Sequence, residues 1–286
     1  MNLVTFRSGE DWHVGATDGD AICDLTLAGV AASMMQMIAL GQAGLERAKR
    51  AMETGAPRLP MAGTRLAAPL PRPGKILCSG INYKSHAAEN PDAKMPSEPF
   101  FFAKMPSSVI GPEDVIPYPA MTAQLDYEVE FAVVIGRRLS HAAEAEVMPA
   151  IFGYTLLNDV SARDVQFKDN QITLGKNFDG FTPLGPCIVT ADAMALPGQV
   201  ALKTRLNGRT MQDGTTADWL FPLPRLLSFL SDVMTLEPGD VVSTGTPAGV
   251  SLFQNPQVFM QPGDVIEIEA AGIGVLRNRI GGLGGL

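Results

Sequence analysis

Polar and apolar residues alternate most strictly between Asp126 and Ile135. Asp126, Glu128 and Glu130 are interleaved with Tyr127 and Val129, and the run closes in Phe131-Ala132-Val133-Val134-Ile135 and Gly136. This period of two predicts a half-buried strand, with the three acids on one face and Tyr127, Val129 and Phe131 on the other. Same-face neighbours lie roughly 6–7 Å apart in a strand. Protonation, bases or a cation must therefore offset the repulsion among three negative charges on one small surface.

The same reading places the other elements. Val4-Thr5-Phe6, Trp12 to Gly15 and Ala21 to Leu25, separated by Ser8-Gly9 and Asp18-Gly19-Asp20, predict short strands, and Ala31 to Thr54 carries apolar residues at helical intervals. Pro57, Pro60, Pro69, Pro71 and Pro73 mark a linker. Residues 1–70 thus read as a small N-terminal α+β domain with its linker, and 71–286 as the main body. That body opens with the strand Lys75 to Gly80 and a short helix over Ile81 to Asn90, on which His86 and Glu89 share a face. A carboxylate beside an imidazole raises its basicity and orients it, as a general base requires. The polar stretch Asn90 to Pro99 reads as a mobile lid.

Further along, the strand Phe152 to Leu157 runs into Asn158-Asp159-Val160-Ser161-Ala162-Arg163-Asp164, which puts polar groups at a strand end, where sites are often built. Asp159 reads there either as another carboxylate ligand or as a helix N-cap. Gly175 to Pro186 is a glycine- and proline-rich loop carrying Lys176, Asn207-Gly208 predicts a type I′ hairpin, and Pro222 to Met234 an amphipathic helix. Glu267 and Glu269 form a second Glu-x-Glu that reads as the exposed face of an edge strand. It serves as a control for the first.

Composition narrows the class of protein. The 286 residues are 46% hydrophobic and 18% charged, ordinary for a globular enzyme. A net charge of −8 gives no electrostatic footprint for nucleic acid or an anionic membrane. No apolar run reaches the roughly 20 residues of a membrane span, and no signal-peptide pattern opens the chain, so a cytoplasmic location is expected. Cys23, Cys78 and Cys187 are far apart, without zinc-type spacing; Cys78 and Cys187 read as small core hydrophobes.

Five stretches in order resemble the fumarylacetoacetate hydrolase family, over roughly Lys75 to Ile280. They are Gly80-Ile81-Asn82-Tyr83 with His86 and Glu89; Asp126 to Glu130; Asn158 to Asp164; Gly175-Lys176 with Phe178-Asp179 and Pro183 to Pro186; and Thr244 to Val250. The resemblance implies an α+β, β-rich fold, a mixed β-roll, holding a divalent metal, usually Mg²⁺ with Mn²⁺ or Ca²⁺ as alternatives, in a homodimer or dimer of dimers. It also implies Glu128, Glu130 and Asp159 as metal ligands, Asp126 as a structural acid, His86 and Glu89 as the water-activating pair, and Lys176 polarising substrate oxygens. Arg163, Gln166 and Thr246 would then contact the substrate. The implied reaction on a small-molecule oxo acid is hydrolysis of a carbon–carbon bond in an acylpyruvate or related 1,3-diketo acid. The same constellation also supports decarboxylation, isomerisation or tautomerisation, and sugar-acid hydrolysis or dehydration. A non-enzymatic, metal-stabilised binding protein would need the carboxylates but not His86, Glu89 and Lys176.

Overall fold

The computed structural model describes residues 1–90 and 95–283. Among these, one twelve-stranded sheet forms the backbone of the molecule. Its middle strand, Val129–Ile135, pairs antiparallel with Ile151–Asn158 on one side and with Val241–Ser243 on the other. Every residue of Val129–Ile135 is buried, because apolar material covers both faces. Val129, Phe131, Val133 and Ile135 enter one core with Leu202, Ile268 and Leu276 of a five-stranded sheet and Leu227 and Leu230 of the helix Leu223–Val233. Ala132 and Val134 enter a second core with Met37, Ile38, Leu45 and Ala48 of the helix Met34–Glu53. The strand is thus buried on both faces, not half-buried as its acidic start suggests, and its period of two sorts side chains between two cores, with a helix layer on one face of the large sheet and a second sheet on the other.

The N-terminal strands Asn2–Ser8, Asp11–Thr17 and Ala21–Asp24 form where the turn composition placed them. They extend the body's own sheet, since Asn2 pairs with Val189 and Leu3 with Ile188. Ser33 caps the following helix by accepting from the amide of Gln36, and Gly41, at φ 52°, breaks its first turns from the rest. Within the proline-rich segment, Arg58–Pro60 and Leu66–Ala67 add short strands to the same sheet. Asn207 and Gly208, both at positive φ, close the predicted hairpin between Ala201–Leu206 and Arg209–Thr215. Cys23, Cys78 and Cys187 are all buried, and burial pushes each thiol up.

Two expectations need correction. The acidic run is not one strand: Leu125–Asp126 belongs to a separate two-stranded ribbon with Ser161–Ala162, and the large sheet takes the chain up only at Val129. Nor is Val265–Ala270 an edge strand, because it lies between Ala201–Leu206 and Gly274–Leu283, and Glu269 of that strand is 2.7 Å from Arg205. Of the stretch expected to form a lid, residues 91–94 lie outside the described residues.

Close strand packing gives a direct test. A Cβ on Gly153 would stand 2.4 Å from the carbonyl of Val189 and 2.7 Å from Cγ2 of Ile188. Gly153→Val is expected to lower stability in urea unfolding by about 1–3 kcal/mol, the usual cost of overpacking.

Candidate metal centre and active site

The site begins with two backbone amides that the sheet does not use. The amide of Glu128 donates to Oδ1 of Asn158 (3.1 Å) and that of Val129 to Oε1 of Gln212 (3.0 Å). These side chains end the ladder just before Val129 and turn Glu128 out of it. Across the pair, Val129 faces Asn158 and the amide of Asp159 donates to the Glu128 carbonyl at 3.0 Å, so the register of two antiparallel strands sets Asp159 beside Glu128. Glu128, Glu130 and Asp159 each offer an oxygen within 4.8 Å of the others, and all three are buried. The helix that follows, Arg163–Phe167, has Ala162 and not Asp159 at its N-cap.

Buried cations surround this cluster unevenly. Lys176 Nζ lies 3.0 Å from Glu128 Oε2 and 2.5 Å from Asp159 Oδ2, and Lys104 Nζ lies 2.5 Å from Asp159 Oδ1. Arg163 donates from Nη2 to Glu128 Oε1 (2.6 Å), from Nε to Asp126 Oδ2 (2.8 Å) and from Nη1 to Gln166 Oε1 (3.1 Å). Glu130 has no such ion pair among the described residues; its Oε2 accepts from the hydroxyl of Ser243. Burial and the charges of Asp159 and Glu128 push the Glu130 carboxyl well above the usual carboxylate range. Burial acts on Glu128 in the same sense, but Lys176 and Arg163 outweigh it and hold that carboxyl below the usual range. Burial alone would lower Lys176, yet Asp159 and Glu128 keep its pKa raised and the lysine charged.

Three hard oxygen donors, one of them lacking a cationic partner, fit a divalent cation of the Mg²⁺ or Mn²⁺ type. Glu128, Glu130 and Asp159 would hold it. Asp126 is not in this group. It accepts from the amides of Ser251 (2.9 Å) and Leu252 (3.1 Å) as well as from Arg163, and so ties the 251–253 turn to the cluster.

A cavity of about 290 Å³ reaches the cluster at Glu128, with Arg163, Gln166, Lys176, Thr246 and His86 among its other lining residues. His86 and Glu89 meet as their spacing predicts, Nδ1 to Oε2 at 2.6 Å, although the helix that carries His86 is only Lys84–Ala87. Oε1 of Glu89 accepts from the amide of Gly249 (2.8 Å), and the ring of Phe253 packs edge-on to His86 at 5.9 Å. With Nδ1 committed to Glu89, Nε2 is the imidazole nitrogen left to exchange a proton with the cavity. Thr246 Oγ1 accepts from Gln212 Nε2 at 2.8 Å, so the glutamine that shapes the Glu128 turn also orients this hydroxyl.

Sequence reasoning missed Lys104, Gln212 and Ser243. Lys104 stands two residues from Phe102 on the strand Phe101–Lys104, and Phe102 lines the cavity with Lys176 4.9 Å from its ring centre, but only the structure shows that this face belongs to the site. The period of two would have put Lys104 on the same face. Gln212 and Ser243 act from strands remote in sequence, and nothing local marks them.

Fold and site together define a sheet-rich enzyme built around a buried carboxylate cluster with a histidine–glutamate pair at its cavity. The family profile described as fumarylacetoacetate (FAA) hydrolase C-terminal matches residues 75–281, and the chain belongs to this family. It is similar to rat mitochondrial oxaloacetate tautomerase Fahd2a, 38% identical over 98% of this chain and 91% of the relative. Among solved structures, a fumarylacetoacetate hydrolase from psychrophilic Exiguobacterium antarcticum matches with a TM-score of 0.88 at 38% identity, covering 98% of this chain and 99% of that one. Maleylpyruvate hydrolase from Sphingobium sp. SYK-6, solved with manganese(II) and pyruvate, matches with a TM-score of 0.83 at 31% identity over 100% of both chains.

Two outcomes follow for the metal. Glu128→Gln and Glu130→Gln are expected to weaken Mg²⁺ binding at least about tenfold in calorimetric titration, whereas Glu267→Ala and Glu269→Ala leave it unchanged. Equal losses in both pairs would remove the first Glu-x-Glu from its central place. Because the Glu130 pKa is raised in the metal-free fold, the stability its proton contributes is full below the ordinary carboxylate value and is lost as pH rises through the raised value. A bound cation replaces that proton, so the rise in Tm on adding Mg²⁺ should be larger at about pH 8 than at about pH 6.

Proposed function

We propose that this protein is a divalent-metal-dependent hydrolase that cleaves a carbon–carbon bond in an acylpyruvate or related 1,3-diketo acid. The observation that carries the reading is the His86–Glu89 pair, at 2.6 Å, lining the same cavity as Glu128 and Lys176. A base beside a polarising site is what water attack on a carbonyl requires. When bound, the cation supplies Lewis-acid stabilisation of the negative charge that develops on the 2-oxo acid oxygens.

The chain's own groups account for the rest. Lys176, held protonated by Asp159 and Glu128, presents a charge to the carboxylate or carbonyl of the 2-oxo acid end, and Gln166 and Thr246 fix its orientation. His86 takes a proton from water through Nε2 while Glu89 steadies the resulting imidazolium through Nδ1. Hydroxide adds to the distal carbonyl, the carbon–carbon bond breaks, and its electron pair leaves as the enolate of pyruvate. The imidazolium of His86 returns its proton to the enolate carbon, which gives pyruvate and a carboxylic acid and restores the neutral base.

A second reading is tautomerisation of a 2-oxo dicarboxylic acid, in which His86 moves a proton between carbon and oxygen and no bond between carbons breaks. The name of the rat relative, at 38% identity, favours it. A cytoplasmic location and a homodimer or dimer of dimers belong to the same proposal. No helix of the described residues is long and apolar enough to cross a membrane.

Product analysis separates the readings. Mg²⁺-loaded protein given acetylpyruvate is expected to release acetate and pyruvate, chelator should abolish the release, and His86→Ala should slow it about 10²- to 10⁴-fold. Chelator-sensitive enol–keto interconversion of oxaloacetate, with no cleavage of acetylpyruvate, would move the function to tautomerase. Unchanged turnover in His86→Ala would remove the base assignment.

A further inference from the structure

We propose that the outer part of the cavity is a subsite for an uncharged, apolar acyl group, so that this chain selects 2-oxo acids whose far end carries no second carboxylate. The proposal rests on the reading of the site given above and names its substrate class. It starts from a division within the lining. The charged residues Glu128, Arg163 and Lys176 are buried at the inner end, whereas Phe100, Phe167 and Phe253 are 49%, 56% and 39% exposed and form the mouth. Ile81, Ile172 and Leu252 continue that apolar wall. Large aromatic side chains open to water around one cavity are the usual mark of a surface that a ligand covers.

The charges point the same way. Among the described residues, Arg163 and Lys176 are the lysine and arginine side chains that line the cavity. Each is already committed: Arg163 to Asp126, Glu128 and Gln166, and Lys176 to Glu128 and Asp159. His86 is held by Glu89. Lys168, next in sequence to the lining residue Phe167, does not line it. A distal carboxylate would leave water for an aromatic wall that, among the described residues, carries no lysine or arginine, at a cost that an alkyl or acyl tail does not meet. That tail gains from the same wall by burying its methylenes. Oxaloacetate, the substrate in the rat relative's name, is a dicarboxylate and falls on the disfavoured side.

Calorimetric titration of the full chain with Mg²⁺ tests this without turnover. Oxalate probes the inner, chelating end; pyruvate, 2-oxohexanoate and 2-oxoglutarate then vary the tail. We expect oxalate to bind only with Mg²⁺, and 2-oxohexanoate to bind at least about tenfold more tightly than 2-oxoglutarate, from about fourfold per buried methylene. Phe167→Lys, at a position 56% exposed, should narrow or reverse that preference. If oxalate binds with Mg²⁺ while 2-oxoglutarate matches or exceeds 2-oxohexanoate, the apolar subsite is wrong and the underlying reading stands. If oxalate does not bind, both fall together.

Discussion

The structure depends on keeping four acids and three bases ionised or protonated in a place water scarcely reaches. Asp126, Glu128, Glu130 and Asp159 face Lys104, Arg163 and Lys176, every one of them buried. Burying an unpaired charge costs several kcal/mol, so such a cluster persists only if each member finds a partner. Six of the seven do so directly, through contacts of 2.5–3.0 Å. Glu130 is the exception among the described residues: burial and the neighbouring charges of Asp159 and Glu128 raise its pKa, and its carboxyl meets the Ser243 hydroxyl instead of a lysine or arginine. The surrounding fold serves this arrangement. The sheet supplies rigid strand ends, and the two cores fix their register.

From that cluster the order spreads outward along named bonds. Arg163 links Glu128 to Asp126, Asp126 holds the amides of Ser251 and Leu252, and Phe253 of the same turn packs on His86. Glu89 closes the circuit through Gly249. His86 and the carboxylate cluster are therefore tied together through hydrogen bonds, a ring contact and the 249–253 backbone, although they come from segments about 40 residues apart in sequence.

How much of this was legible follows from where each signal lies. The sorting of Val129 and Phe131 to one face followed from a period of two, and the His86–Glu89 contact from helical spacing, but Tyr127, expected beside Val129 and Phe131, lies in a separate core with Ile116 and Phe181. The N-terminal strands and the Asn207-Gly208 hairpin followed from turn chemistry. The break before Val129 did not, because Asn158 and Gln212 impose it from distant strands. Neither did the interior place of Val265–Ala270, nor the pairing of Asn2 with Val189, since a strand's neighbours are decided by tertiary contacts that leave no local mark. The convergence of Glu128, Glu130 and Asp159 came through family resemblance, and the geometry supplies its physical basis. Fold alone would not have set the reaction, which rests on the site.

The central claim is that Glu128, Glu130 and Asp159 together hold one divalent cation. Anomalous diffraction from crystals of the protein soaked in Mn²⁺ tests it most directly. The account predicts a single strong peak with an oxygen of each of the three carboxylates about 2.0–2.3 Å away, as hard cations require. A peak bound by other residues, or a cluster that stays metal-free with Lys176 still bridging Glu128 and Asp159 at saturating Mn²⁺, would contradict it.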